Sequence, residues 1–135
     1  MFDHKVFTVD IAIRFRDIDA MGHVNNAVFF TYLEQGRVEF TQLTPELGIS
    51  FLLAHVSCDY IKPVMLGNQL TLRMWVNRIG IKSFGFQYEI VDRSDGSAVY
   101  ATGESVQVVF DPAENVSMEI TEGLRDSLWE YLPGD

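Results

Sequence analysis

The stretch AVFFTYLEQGRVEFTQL, residues 27–43, decides the fold because it lacks proline and its apolar side chains cover more than one helical stripe. A helix with so broad an apolar surface must be largely surrounded by other structure. Thr44-Pro45 follows and disrupts the helix, and Gly48 comes shortly after. The sequence therefore predicts one long central helix over residues 27–43.

The chain on both sides of this helix predicts strands. Over residues 6–15 the side chains alternate with a period of two, and Phe7 and Phe15 lie near the ends of the apolar row. Four more strands are predicted within residues 51–62, 70–77, 84–90 and 98–110, and a last amphipathic helix over residues 121–132. Consecutive strands joined by tight turns favour an antiparallel sheet and an α+β fold. We expect a single domain, residues 1–135, in which the sheet wraps around the central helix. We also expect a homodimer or homotetramer that joins sheets and protects their edges.

Composition and charge argue against several classes of function. The net charge of −9 over 135 residues argues against nucleic acid as the main partner, because phosphate binding needs clustered Lys and Arg. The single cysteine, Cys58, cannot form an intramolecular disulfide or a multi-cysteine metal site. No apolar run approaches the roughly 18 residues of a membrane-spanning helix, and the N-terminus shows no secretory pattern. We expect a cytoplasmic protein without a membrane partner.

A polar loop, DIDAMGHVNN at residues 17–26, separates the first strand from the helix. Asn25 or Asn26 is expected to cap the helix, because Asn side chains accept hydrogen bonds from first-turn amides. A carboxylate such as that of Asp19 can act as a general base or as a nucleophile. The unpaired amides at a helix start can polarise a carbonyl oxygen. A loop that feeds directly into a helix places both groups within reach of one carbonyl group.

The loop and the helix together resemble the signature of the 4-hydroxybenzoyl-CoA thioesterase family. The resemblance is carried by RFRDIDAMGHVNN at residues 14–26, by Tyr32-Leu33-Glu34 and by Arg37, and segments 60–63 and 82–84 also match family elements. It extends to the bacterial acyl-CoA and acyl-carrier-protein thioesterases of the hotdog fold. The resemblance implies that fold and the hydrolysis of an acyl-CoA thioester, without a cofactor.

The resemblance also implies individual roles for loop residues. The family's catalytic aspartate falls at Asp19, its carbonyl-polarising backbone amide at Asn26, and a catalytic histidine of the acyl-carrier-protein branch at His23. That branch has Asn where this chain has Met21, so its full catalytic set is not present. The aromatic-Tyr pair of the hydroxybenzoyl enzyme is replaced by Asn25-Asn26, so the aromatic substrate is not carried over. Asn25 remains a candidate substrate contact.

The turn Lys82-Ser83-Phe84 resembles the family's turn that holds the nucleotide phosphates of CoA. Lys82 matches, whereas the two preceding arginines of the family are Gly80 and Ile81 here. Arg78 is the nearby cation that would compensate for them. Lys82 and Arg78 are therefore the predicted substrate-binding cations, and the competing interpretation is that they are ordinary solvated charges of a turn.

Structural roles compete with the functional ones for each of these polar residues. Asp19 and His23 could serve only to hold the loop together. Asp17 could form an ion pair with Arg14 or Arg16, and Asn25 could be only a helix cap. Glu34 and Arg37 could form an ion pair within the helix. Asp17, Asp19 and His23 could together bind a divalent metal ion. Because no further strong ligand cluster is evident in the sequence, we predict no metal.

Several functions are compatible with the sequence. An acyl-CoA thioesterase is the leading one, and an acyl-carrier-protein thioesterase would use the same site with a different carrier. A hydratase or dehydratase of the same fold, acting on the same kind of thioester, is less well supported, because the expected His-plus-carboxylate signatures on other elements are not found. A non-catalytic protein that binds acyl thioesters would retain the fold but release no thiol.

Overall fold

A computed structural model describes residues 3–43 and 50–134 of the chain. The elements in chain order are β1 (Phe7–Ile11), a single 3-10 turn (Phe15–Asp17), α1 (Val28–Gln42), β2 (Phe51–Tyr60), β3 (Leu70–Ile79), β4 (Ser83–Asp92), β5 (Val99–Asp111), β6 (Val116–Ser117) and α2 (Glu122–Trp129). The strands form one six-stranded antiparallel sheet in the order β1-β3-β4-β5-β2, with β6 paired to β5. The predicted α+β architecture, with one long helix and a short C-terminal helix, is confirmed. The predicted disruption at Thr44-Pro45 and Gly48 lies outside the described residues.

The core lies between the inner face of the sheet and α1. Alternate side chains of the two central strands are fully buried, as the period of two predicts; these are Leu70, Leu72, Met74 and Val76 on β3 and Phe84, Phe86, Tyr88 and Ile90 on β4. Each such side chain contributes about 1.5–3 kcal/mol when it leaves water. The helix lies close to the sheet at Gly36, where any side chain would collide with Leu72. A glycine in the middle of α1 is therefore explained by packing.

The first strand is shorter than its alternation predicts. The ladder between β1 and β3 ends at Ile11, and Phe15, expected to face inward, is 82% exposed. A local turn replaces the ladder here, because the Asp17 N–H donates to the Arg14 carbonyl oxygen at 2.9 Å and the Arg14 N–H donates to the Asp17 carboxylate at 2.9 Å. These short-range bonds outweigh the apolar pattern, so the predicted strand beyond Ile11 is wrong.

The sheet has two edges, β1 and β2. The outer side of β2 has no strand partner among the described residues, and Leu52, Leu53 and Tyr60 on this strand are exposed. Within residues 3–43 and 50–134, no helix is long and apolar enough to cross a lipid bilayer.

Candidate active site

The loop between the 3-10 turn and α1 is held by its own hydrogen bonds. Ile18 and Val24 form an isolated antiparallel bridge, and the Asp19 N–H donates to the His23 carbonyl oxygen at 2.9 Å. Asp19 Oδ1 accepts from the Met21 N–H at 2.9 Å and from the His23 N–H at 3.4 Å. Gly22 has a φ of +92°, which a side chain would strain. Asp19 therefore does have the expected structural role, because its carboxylate accepts hydrogen bonds from loop amides.

The other carboxylate oxygen of Asp19 faces the ring of His23. Asp19 Oδ2 lies 3.7 Å from His23 Nδ1, and the two side chains are 26% and 35% exposed. The loop thus fixes one carboxylate oxygen with backbone N–H groups and leaves the other beside an imidazole. A carboxylate in this position can orient the ring.

The backbone amides at the start of α1 are almost all used. The Asn25 N–H donates to the Asp17 carbonyl oxygen, the Ala27 N–H to Asn25 Oδ1 at 2.8 Å, and the Val28 N–H to the Asn25 carbonyl oxygen at 2.9 Å. The N-cap of α1 is Ala27, without a side-chain cap, so the predicted cap at Asn25 or Asn26 is wrong, and Asn25 Oδ1 bonds the turn that leads into the helix instead. The Asn26 N–H has no acceptor among the described residues, and the first turn of α1 carries no acidic side chain. One unpaired donor thus remains at the positive end of the helix dipole.

A cavity of about 310 Å³ opens beside this donor. Its lining residues are His23, Val24, Asn26, Phe29, Tyr60, Ile61, Lys62, Pro63 and Val64. The cavity lies between the loop and the end of β2, which the bond from the Val24 N–H to the Val64 carbonyl oxygen connects at 2.8 Å. Asp19 does not line this cavity, but its carboxylate lies beside the ring of His23, which does. Of the predicted site residues, the structure places His23 and Asn26 in one cavity.

Two cavity residues, Tyr60 and Lys62, were not singled out from the sequence. The Tyr60 hydroxyl donates to the Asn26 carbonyl oxygen at 2.7 Å, and its ring packs edge-on against Phe29. The Lys62 ammonium lies 4.6 Å from the centroid of the Tyr100 ring. The available signal was the resemblance of residues 60–63 to a family segment, which did not say what these side chains touch.

Asp17 has a different environment from Asp19. It is 8% exposed, and its Oδ2 accepts from the Tyr32 hydroxyl at 2.7 Å as well as from the Arg14 N–H. Burial, followed by the bond to Asp17 and its charge, raises the pKa of Tyr32 far above its ordinary value. The predicted pairing of Asp17 with an arginine side chain is replaced by these two bonds. The described residues contain no group of three or more His, Cys, Asp and Glu side chains that could hold a metal.

Comparison with known proteins identifies the family of this chain. The family model of the thioesterase-like superfamily matches residues 13–128, most of the chain. The chain belongs to the thioesterase-like superfamily. A solved structure of a predicted thioesterase from Bacillus stearothermophilus is 30% identical, with a TM-score of 0.84 over 96% of this chain and 100% of that one. The predicted hotdog fold and the predicted class, a thioester hydrolase, are confirmed.

Two curated relatives have named activities. The long-chain acyl-CoA thioesterase FadM of Escherichia coli is 23% identical over 129 residues, covering 90% of this thioesterase-like chain and 96% of that protein. The 1,4-dihydroxy-2-naphthoyl-CoA hydrolase of Nostoc punctiforme is 26% identical over 92 residues. That match spans 62% of each protein, so the chain covers less than two thirds of this relative.

The predicted phosphate-binding cations of this thioesterase-like chain lie far from the cavity. Tyr60 is in register with Ala101 and Ala101 with Ile90, whereas Lys82 is eight residues from Ile90 at the other end of β4. At ~3.3 Å per residue the separation is about 26 Å. Arg78 shares this end of the sheet, where its guanidinium donates to Ser83 Oγ at 3.3 Å. Neither residue reaches the cavity of its own chain.

Arg37 also departs from its expected place. Its side chain is 6% exposed and donates to the Tyr88 hydroxyl at 3.2 Å, whereas Glu34 is exposed and forms no ion pair with it. The predicted intrahelical Glu34–Arg37 pair is wrong, because the guanidinium turns inward to an acceptor on β4.

Proposed function

We propose that this thioesterase-like chain hydrolyses an acyl-CoA thioester in the cavity at the N-terminus of α1. The observation that carries the proposal is that Asn26, whose N–H is unpaired among the described residues, lines the same cavity as His23, the ring beside the Asp19 carboxylate. The CoA carrier is supported by two relatives whose names specify CoA thioesters. The enzyme requires no cofactor for this reaction.

In the proposed reaction the thioester carbonyl oxygen accepts a hydrogen bond from the Asn26 N–H. Negative charge develops on that oxygen when a nucleophile adds to the carbonyl carbon, and a fixed donor at a helix N-terminus stabilises it. Removing one donor of this kind typically costs ~3 kcal/mol of barrier, roughly a hundredfold in rate. The bonds that hold Asn25 and Tyr60 to the helix start support this donor, because they fix the backbone on both sides of it.

Asp19 supplies the base or the nucleophile. As a base it accepts a proton from water, directly or through His23, and the hydroxide oxygen bonds to the carbonyl carbon. As a nucleophile its oxygen bonds to that carbon first, and water then cleaves the resulting anhydride. In both routes the C–S bond breaks, the CoA thiolate leaves and takes up a proton, and a free carboxylic acid is formed. Asn25 then acts by fixing the helix start rather than by holding substrate.

The proposal also includes a homodimer joined along β2, which would bring cations of one chain towards the cavity of the other. Two copies of an edge strand related by a two-fold axis run in opposite directions, so the Phe51 end of one lies beside the Tyr60 end of the other. Val109 on β5 is in register with Phe51, and its N–H donates to the Lys82 carbonyl oxygen at 2.8 Å. The cations at Lys82 and Arg78 would therefore approach the partner's cavity, where CoA phosphates could meet them.

The function is tested by a free-thiol assay with short, medium, long and aromatic acyl-CoAs and with the matching acyl carrier protein thioesters. We expect thiol release from CoA esters, and D19N should lower kcat by about a thousandfold because the base is lost. D10N is the matched control, since Asp10 is an exposed aspartate outside the cavity. Unchanged hydrolysis by D19N would show that Asp19 has no catalytic role. Binding of CoA esters without thiol release would instead identify a binding protein.

A further inference from the structure

Asp17 carries a buried carboxylate that the proposed reaction does not use. Its side chain is more than nine-tenths buried, and its Oδ2 accepts hydrogen bonds from two neutral groups, the Tyr32 hydroxyl and the Arg14 N–H. Within residues 3–43 and 50–134, no Lys, Arg or His side chain lies within ion-pair distance of Asp17, and its Oδ1 has no hydrogen-bond donor. Burying a carboxylate is costly unless a positive charge or further hydrogen bonds compensate it. One oxygen of this carboxylate is therefore available to a donor from outside the described chain.

The same carboxylate lines a pocket of about 180 Å³ between α1 and the segment that follows β1. The lining residues are Asp10, Ala12, Arg14, Asp17, Thr31, Tyr32 and Gln35. At roughly 30 Å³ per water molecule, this volume holds about six non-hydrogen atoms. Most of the lining side chains are charged or carry a hydroxyl or an amide, so the pocket suits a small polar ligand better than a hydrocarbon chain.

Arg14 brings a positive charge to this pocket. Its guanidinium has no carboxylate within ion-pair distance among the residues that the structure describes. It lies within electrostatic reach of the buried pair, because its charge works against the rise in the pKa of Tyr32 that burial and Asp17 cause. Asp10, the second acid of the pocket, is already compensated, since its Oδ1 lies 3.4 Å from Arg93 Nε. The pocket therefore presents one unpaired carboxylate oxygen and one unpaired guanidinium group.

We propose that this pocket binds a small amino-acid zwitterion, with its ammonium group on Asp17 Oδ1 and its carboxylate on Arg14. An ammonium group donates to a carboxylate oxygen, and a carboxylate matches the planar guanidinium fork with two parallel hydrogen bonds. A simple cation would be repelled by Arg14, and a simple anion would be repelled by Asp17 and Asp10. Alanine and β-alanine, with about six non-hydrogen atoms each, have the size that the pocket holds.

The pocket lies at the other edge of the sheet from the proposed dimer contact. The strand order β1-β3-β4-β5-β2 separates the two edges by four strand spacings of about 4.8 Å, or about 19 Å. The pocket also shares no lining residue with the cavity at Asn26. A dimer joined along β2 therefore leaves it open, and a zwitterion can bind while a thioester occupies the cavity. Because binding is measured directly, the proposal stands or falls independently of hydrolysis.

The test is calorimetric titration of the full chain with alanine, β-alanine, propionate and propylamine. Alanine and β-alanine differ in the spacing of their two charges, whereas propionate and propylamine each keep only one of them. We expect at least one of the two amino acids to bind at one per chain, about tenfold or more tightly than either single-charge analogue, because each analogue loses one charged hydrogen-bonded contact. Equal affinity for propionate or propylamine, or no measurable binding of either amino acid at millimolar concentrations, would overturn the proposal.

A matched pair of arginine variants tests the carboxylate end of the ligand. R14Q removes the guanidinium but keeps the backbone N–H that bonds Asp17, so the tighter-binding amino acid should bind about tenfold more weakly. R16Q removes the same charge from an exposed arginine outside the pocket, and its affinity should stay within about twofold. Equal losses in the two variants would show that net charge, and not the position of Arg14, controls binding.

The ammonium end is tested with D17N, which keeps one oxygen as acceptor for the Tyr32 hydroxyl and the Arg14 N–H. The preference for the amino acid over propionate should disappear in this variant, because the negative partner of the ammonium group is lost. Thermal unfolding shows whether D17N folds, and a folded D17N that retains the preference contradicts the proposed role of Asp17.

A second pair of variants decides the question if D17N does not fold. Q35F places a ring at the rim of the pocket and should weaken binding of the amino acid about tenfold or more by filling its space. Q42F makes the same change at an exposed position of α1 outside the pocket and should leave the affinity unchanged. Binding that survives Q35F, or that falls equally in Q42F, would place the ligand elsewhere and refute the site.

Discussion

The two ends of the sheet differ in how their polar groups are used. At the loop end, hydrogen bonds occupy the amides around Asn25 and leave the Asn26 N–H unpaired beside a cavity. At the hairpin end, Arg78 and Arg125 bond to the turn itself, the latter through the Gly80 carbonyl oxygen at 2.9 Å, while Lys82 is exposed. The proposed donor for the reaction and the proposed cations for the carrier therefore lie at opposite ends of one chain. This difference indicates that a complete site of the proposed kind requires either a second copy of the chain or another cation near the cavity.

After the loss expected for D19N, the largest effect should come from removing the unpaired donor at the loop end. N26P deletes the backbone N–H and should lower kcat by about a hundredfold, because the developing oxyanion loses its fixed donor. N26A is the matched variant, since it removes the side chain and keeps the N–H, and its kcat should stay within threefold of the unmodified protein. Steady-state thiol release measures both, with thermal unfolding as the check on folding. Equal losses in the two variants would assign the role to the side chain instead.

The elements most fully predictable from sequence are those fixed by repeated burial. The alternation on β3 and β4 indicates the core because every second side chain faces α1. The end of β1 could not be predicted in this way. Its apolar alternation continues to Phe15, whereas the short-range bonds between Arg14 and Asp17 turn the chain away from the sheet.

The candidate site was predictable where it depends on one continuous segment. Asp19, His23 and Asn26 lie within eight residues, and the loop places Asp19 beside the His23 ring and His23 with Asn26 at one cavity. Contacts between distant segments were not predictable, because a pattern on one element carries no information on its partner. The inward position of Arg37 depends on Tyr88, which is 51 residues away in the chain.

The two aspartates of the loop should separate stability from catalysis. D17A leaves the buried Tyr32 hydroxyl and the Arg14 N–H without their acceptor, which should lower the free energy of unfolding by about 2 kcal/mol. For a domain of this size that corresponds to a Tm lower by about 8 °C. The kcat of the folded fraction should fall far less than in D19N. A D17A protein with an unchanged Tm and a thousandfold lower kcat would reverse the two assignments.

The hairpin end is tested through the KM for acyl-CoA. The double variant R78A/K82A should raise KM about tenfold with little change in kcat, because charge-assisted bonds to the carrier phosphates are lost. K62A is the competing variant, since Lys62 lines the cavity of its own chain. A larger KM effect in K62A would mean that the loop end binds the carrier without a partner.

A separate experiment measures whether the effect of R78A/K82A on KM requires a second copy of the chain. L52E places a charge on the exposed edge of β2 and should convert a dimer to monomers in sedimentation experiments, because pairing along β2 would then bury an uncompensated carboxylate. V116E makes the same kind of change at an equally exposed valine on β6 and should leave the oligomeric state unchanged. In a monomeric L52E protein, adding R78A/K82A should no longer affect KM. A further increase would show that these cations act within their own chain.

The smallest effect should come from the hydroxyl that holds the helix start at the cavity. Y60F removes the bond to the Asn26 carbonyl oxygen but keeps the ring against Phe29, so kcat should fall about fivefold, the value of one neutral hydrogen bond, while KM stays the same. Y100F is the control, because it deletes a hydroxyl on the strand beside β2 that bonds Asp92 and not the loop. A rise in KM at constant kcat would mean that Tyr60 contacts the substrate and does not position the amide. Because N26P removes the donor itself, the loss from Y60F should disappear in the N26P background if the tyrosine acts only through that backbone.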